Sequence, residues 1–184
     1  IYHVPQNGIG LPFSKKCSYI ITLHDIIPFR MPETVGPGYL KIFTENIPKI
    51  INLVDAIITV SEFSKKDICD YFDFDPKKIF VTHLAPEDIY KPMPKEEAKK
   101  FLIKKFNIDY PYILYVGGFS PRKNIHRLIK AYNIVKDKLD NIHLCIPGKF
   151  SRSFDDIYSL VSSLNLCDYI HFLSFVEVEI MPYI

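Results

Sequence analysis

Short apolar runs alternate with helical patterns along almost the whole chain, and no other feature narrows its choice of fold so much. Residues 19–23, 56–60 (AIITV) and 78–82 read as strands. Helical patterns follow at 39–53, with Pro48 expected to kink or end the helix, and at 62–72, where Ser61 is well placed as N-cap. Asp75-Pro76 signals a turn before the third strand. The pattern restarts after Lys91-Pro92-Met93-Pro94: a basic helix at 95–106, then strands at 112–116, 143–146 and 169–173 separated by helices at 124–138 and 154–164. Continuous apolar strands divided by helices predict an α/β fold with parallel sheets covered on both faces. The proline-rich break predicts two Rossmann-like units, residues 1–91 and 95–184, joined by a linker at 92–94.

In such units ligands bind beyond the C-terminal ends of the strands. His24-Asp25, Ser61, Gly117-Gly118 and Gly148 occupy that position. The richest stretch is YILYVGGFSPRKN at 112–124. It reads as a strand, a glycine turn and the start of a helix, with Arg122 and Lys123 beside it. Glycines let backbone N–H groups come close to a ligand, and a helix N-terminus attracts anions. Arg and Lys add charge-assisted hydrogen bonds to phosphate oxygens. The segment is a candidate diphosphate cradle. The competing account is a tight turn in which the glycines supply positive φ and the cations are solvated.

Composition excludes several functions. A net charge of +2 on 184 residues, with cations spread along the chain, gives no footprint for nucleic acid. Cys17, Cys69, Cys145 and Cys167 form no CxxC pair, so neither a zinc site nor a disulfide framework is indicated; they read as reduced, mostly buried thiols. No apolar run reaches the roughly 20 residues needed to span a bilayer. The sequence opens at Ile1 without methionine and closes at Ile184 in what reads as the opening of a helix, so it is expected to be a piece of a longer protein.

Three stretches together resemble the retaining glycosyltransferases of family 4, the group 1 glycosyl transferases with the GT-B fold. They are ITLHDIIPFRMPE at 21–33, DAIITVSEFSKKDI at 55–68 with KIFVTHLAPED at 78–88, and YILYVGGFSPRKNIHRLIKAY at 112–132 with HLCIPG at 143–148. The resemblance implies two facing Rossmann-like domains of GT-B type, both incomplete here. The acceptor would sit mainly on the first and a nucleotide-diphosphate sugar on the second. It implies transfer of a hexose, with mannose suggested by the HDIIPF and HLAPED wording, to a saccharide or lipid-linked acceptor in surface polysaccharide or glycolipid synthesis.

His24 would orient the transferred sugar, and Gly117, Gly118, Arg122, Lys123 and Gly148 would bind the donor. Asp25, Ser61, His83 and Glu87 are weaker candidates; Asp25 competes with a turn cap and Ser61 with a helix cap. No metal or other cofactor is expected, nor any nucleic acid, and at most peripheral membrane contact. The location implied is the cytoplasm, at the inner face of the membrane where the acceptor is lipid-linked. The family's E-x7-E pair is not matched by Glu177 and Glu179, and the strand and glycine-rich loop that open such enzymes are not found before Ile1. The fragment alone is therefore expected to be inactive. Two other functions compete: a sugar-nucleotide epimerase on the same fold, and a non-catalytic nucleotide-binding fragment. His126, His143 and His171 show no partner pattern and are assigned to a helix surface or strand ends.

Overall fold

The computed structural model describes residues 1–149 and 154–184. The chain forms two compact units, Ile1–Ala85 and Pro86–Ile184. The division falls before the proline-rich segment, so residues 86–94 group with the second unit. Helix 95–106 anchors them there, whereas the first unit's last strand has already ended at Val81.

The first unit has four parallel strands in the order β1 (Tyr2–Val4), β2 (Tyr19–Thr22), β3 (Ala56–Thr59) and β4 (Ile79–Val81). A short helix α1 (Ile27–Arg30) and the longer α2 (Pro37–Ile51) link β2 to β3, and α3 (Glu62–Phe72) links β3 to β4. β1 was not legible as a strand: it is three residues long, and Tyr2 and His3 are exposed. It is held by the register Tyr2↔Tyr19, His3↔Ile20 and Val4↔Ile21.

Strand neighbours follow chain order, so right-handed crossovers carry α2 and α3 to the same side of the sheet. The core confirms this: Ile21, Leu23, Ile57 and Ile79 from one sheet face pack with Phe43, Ile47 and Ile50 of α2 and Ile68 of α3. Successive residues point to opposite faces. Ile20, Ile58 and Phe80 thus occupy the other face, where Ile20 and Ile58 are half-buried and Phe80 is 57% exposed. Cover on both faces, expected from the apolar strands, does not hold in this unit. Nor does Pro48 end α2, which runs on to Ile51 because Ile47, Ile50 and Ile51 are all buried against the sheet.

The second unit has three parallel strands in the order β5 (Tyr112–Leu114), β6 (His143–Pro147) and β7 (Ile170–Ser174). Here both sheet faces are covered. Leu144 and Ile146 of β6 pack with Ile125, Ile129 and Tyr132 of α5 (Ile125–Val135) and Ile157 and Val161 of α6 (Phe154–Ser163). The alternate residue, Cys145, packs with Leu102 of α4 (Lys95–Phe106) and Ile108. Burial pushes the Cys145 thiol up to about 11, which makes it unreactive at neutral pH. The thiols are free, but not mostly buried: Cys17 and Cys167 are exposed and Cys69 is intermediate. Among the described residues no helix is long and apolar enough to cross a membrane.

Candidate functional site

In the second unit the loops following β5, β6 and β7 meet. The Gly148 N–H donates to the Ser174 carbonyl at 2.7 Å. Ser174 ends β7 with φ of 58°, in the left-handed region that costs a non-glycine residue roughly 1–2 kcal/mol. A side chain at Gly148 would meet the Gly117 carbonyl oxygen and Phe119 Cε2, each at 3.1 Å. Gly148 is thus a glycine because the main chain of the neighbouring loop lies against it.

The two glycines of the β5 turn differ. A Cβ on Gly117 would meet the Tyr115 hydroxyl at 2.8 Å, since Tyr115 folds back beneath the turn. A Cβ on Gly118 would meet nothing within 4 Å. Neither glycine has positive φ, so the expectation of a left-handed turn at this pair is overturned. The Tyr115 side chain crowds Gly117, although the far end of a side chain can give where backbone cannot. Neither packing nor backbone conformation accounts for Gly118, which is exposed and borders open space. The N–H groups of Gly117 and Gly118 have no hydrogen-bond partner among the described residues.

Arg122 and Lys123 are not in the first turn of α5. They occupy a separate 3-10 turn, Pro121–Lys123, and Asn124 follows with φ of 57° before the helix starts at Ile125. The left-handed asparagine breaks the helical path that a continuous periodicity had suggested. Asn124 makes no side-chain cap. The first amides of α5, at Ile125 and His126, are likewise unpartnered among the described residues. Both cations are exposed and form no ion pair among the described residues. The Arg122 guanidinium lies close enough to the Tyr115 phenol to oppose the upward push of burial on it. Amides unpaired among the described residues, a helix N-terminus with no side-chain cap and two exposed cations therefore follow one another between Gly117 and His126. That combination suits a polyanion.

In the first unit, His24 is half-buried one residue past the last ladder bond of β2, Leu23 N–H to Ile58 O at 2.8 Å. Its imidazole has no partner among the described residues, so it is available to a ligand. Asp25 is committed locally: its Oδ1 accepts the Ile27 N–H at 3.0 Å and starts α1. Ser61 is also committed, with its Oγ accepting the Ser64 N–H at 3.0 Å as the cap of α3. His83 and Glu87 are exposed, lie in irregular chain after β4, and fall in different units. Among the described residues no group of three or more His, Cys, Asp or Glu could hold a metal ion.

The sequence reading missed a histidine pair. His143 Nδ1 lies 2.8 Å from His171 Nε2, and Tyr110 stacks on His143 with ring centroids 3.9 Å apart. The assignment of these histidines as unpartnered is thus corrected: 28 residues apart in sequence, they are joined by the register of β6 with β7. Burial lowers both pKa values, and His143 lowers that of His171 further. The pair sits at the N-terminal end of β6, beside a cavity of about 440 Å³ under α4 lined by Leu102, Ile108, Tyr110 and Tyr112. Both lie at the opposite end of the sheet from the Gly118 turn.

The fold is of GT-B type, and comparison with known proteins narrows the class. Residues 96–184 match the family model described as Glycosyl transferases group 1, and the chain as a whole resembles members of that family. O-antigen chain mannosyltransferase B of Escherichia coli is 28% identical over 186 residues, which cover 100% of this chain and 48% of that protein. Sucrose-phosphate synthase from Thermosynechococcus elongatus superposes with a TM-score of 0.76 at 18% identity, covering 98% of this chain and 46% of that one. Anabaena Alr3699/HepE in complex with UDP-glucose gives 0.69 at 18% identity, covering 90% and 43%. The chain thus spans about half the length of the relatives it matches.

Proposed function

We propose that this chain is part of a retaining glycosyltransferase that moves a hexose, mannose by preference, from a nucleotide-diphosphate sugar to an acceptor hydroxyl in surface polysaccharide or glycolipid synthesis. The observation that carries the proposal is Gly118. Neither packing nor φ requires glycine there, its N–H is unpartnered among the described residues, and Arg122 and Lys123 follow within five residues. The likeness to an O-antigen mannosyltransferase supports the sugar and the pathway class. The likeness to a fold that binds UDP-glucose supports the donor class.

In the proposed reaction the bond between the sugar's anomeric carbon and the donor phosphate oxygen breaks. The acceptor oxygen bonds to the same face of that carbon, and its proton passes to the leaving phosphate. Negative charge grows on the diphosphate, where free amides, Arg122 and Lys123 stabilise it without reorganising. In this scheme the two cations supply the charge that a metal ion would otherwise bring. His24 holds the sugar. The reaction would take place in the cytoplasm, at the inner membrane face when the acceptor is lipid-linked.

Calorimetry of GDP and UDP binding to the complete protein, followed by a donor screen, tests the proposal. Lys123→Ala should weaken nucleotide-diphosphate binding by about 1–3 kcal/mol, the scale of one charge-assisted hydrogen bond. Unchanged affinity would remove the diphosphate assignment.

A further inference from the structure

The loop between β1 and β2 opens with residues 5–11, PQNGIGL. Asn7 and Gly8 both have positive φ, 52° and 70°, and the Ile9 N–H returns to the Gln6 carbonyl at 3.1 Å. Two left-handed central residues closed by that bond make a tight turn of the kind Asn-Gly favours. The turn is fixed in place. Gly8 is buried, and a Cβ there would meet Ile21 Cγ2 and Ile50 Cγ2 at 3.1 Å.

Its Asn7 side chain reaches the end of β2. Asn7 Oδ1 accepts the His24 N–H at 3.0 Å, and Asn7 Nδ2 donates to the Tyr39 hydroxyl at 2.9 Å. Only the amide oxygen can accept from an N–H, so the His24 bond fixes which way the amide faces. From the other side the Thr59 hydroxyl, on a fully buried residue, donates to the His24 carbonyl at 3.4 Å. His24 lies beyond the last ladder bond, so β pairing does not hold it. Instead one side chain holds the peptide before it and another the peptide after it. Fixing both peptide planes fixes φ and ψ, and with them the direction of the Cα–Cβ bond. Tyr39 in turn packs its ring on buried Phe43, with centroids 5.6 Å apart.

We propose that Asn7 is a positioning residue: it aims the His24 imidazole at the transferred sugar by holding the His24 amide. This rests on the assignment of His24 to the sugar. Asn7→Gly removes both hydrogen bonds while keeping a residue that accepts positive φ. Asn7→Asp keeps the acceptor for His24, and the Tyr39 hydroxyl can turn to donate to it.

The test is sugar transfer by the complete protein. Asn7→Gly should lower kcat about 10- to 100-fold, the cost of misplacing a catalytic contact, with the donor KM almost unchanged. Asn7→Asp should restore most of the rate. In a His24→Ala background Asn7→Gly should add no further loss. Independent, additive losses, or a wild-type kcat for Asn7→Gly beside an impaired His24→Ala, overturn the role of Asn7 alone. A fully active His24→Ala overturns the sugar contact, and the Asn7 role falls with it. If Asn7→Gly does not fold, Tyr39→Phe gives the same readout with a smaller loss. If no donor is turned over, hydrogen exchange at the His24 amide decides: faster exchange in Asn7→Gly but not in Asn7→Asp supports the hold, and an unchanged rate refutes it.

Discussion

Replacing Gly118 and Gly148 by alanine tests the proposed donor site by separating the glycine proposed to face a ligand from a packing glycine within one set of loops. At Gly118 a methyl group enters empty space on a backbone without positive φ. Alanine there should be neutral for stability, or raise it by about 0.4–1 kcal/mol through the unfolded chain. At Gly148 the methyl meets the Gly117 carbonyl oxygen at 3.1 Å, and a backbone carbonyl tied into its own loop cannot swing away as a side chain can. Overpacking of that kind costs about 1–3 kcal/mol. For a unit of this size each kcal/mol moves Tm by about 4–8 °C. Binding should follow the opposite order. The new methyl on Gly118 would hold the phosphate away from the free amide, forfeiting a charged hydrogen bond of about 1.5–3 kcal/mol, or about 10- to 150-fold in Kd for GDP or UDP. Scanning calorimetry and isothermal titration on the two variants read both quantities. A Gly118→Ala protein that melts at or above wild type and binds nucleotide as tightly would refute the account of Gly118, because open space would then have no occupant.

The remaining expectations concern stability. Burial holds His143 and His171 below the ordinary histidine value of about 6.5. The unfolded chain therefore binds more protons between that value and the lowered ones, so stability falls as pH drops through about 6.5 and levels off below both folded values. Urea midpoints between pH 7.5 and 5 should show the slope, and His171→Gln should flatten it; an equal slope in that variant would place the titration elsewhere. Ser61→Ala removes the cap of α3 and should cost about 0.5–2 kcal/mol by chemical denaturation, with no change in nucleotide affinity. A drop in nucleotide affinity would return Ser61 to the ligand site.

Much of this architecture was legible, for local reasons. The helix expected at 62–72 is found at Glu62–Phe72 because Ser61 caps its start and Asp73, with φ of 51°, ends it. The basic helix was equally well bounded, by Pro94 before it and left-handed Asn107 after it. Three things were not legible. β1 is too short and too exposed to show a pattern, and exists because β2 offers it an edge. The crowding at Gly117 depends on Tyr115 folding beneath the turn, which no spacing reveals. The histidine pair depends on which residues of β6 and β7 lie abreast. The Asn7-Gly8 turn does carry a sequence signal, the Asn-Gly dipeptide.

At Gly148 and Gly117 backbone rests on backbone, and the Ser174 carbonyl pins the same spot from the third strand. At that contact no side chain can take up slack between the two backbones. Lengthening any one of the three loops would press on the other two at this contact, so under the proposed donor assignment donor choice is retuned by exchanging the loops as a set or by changing the residues that project from them.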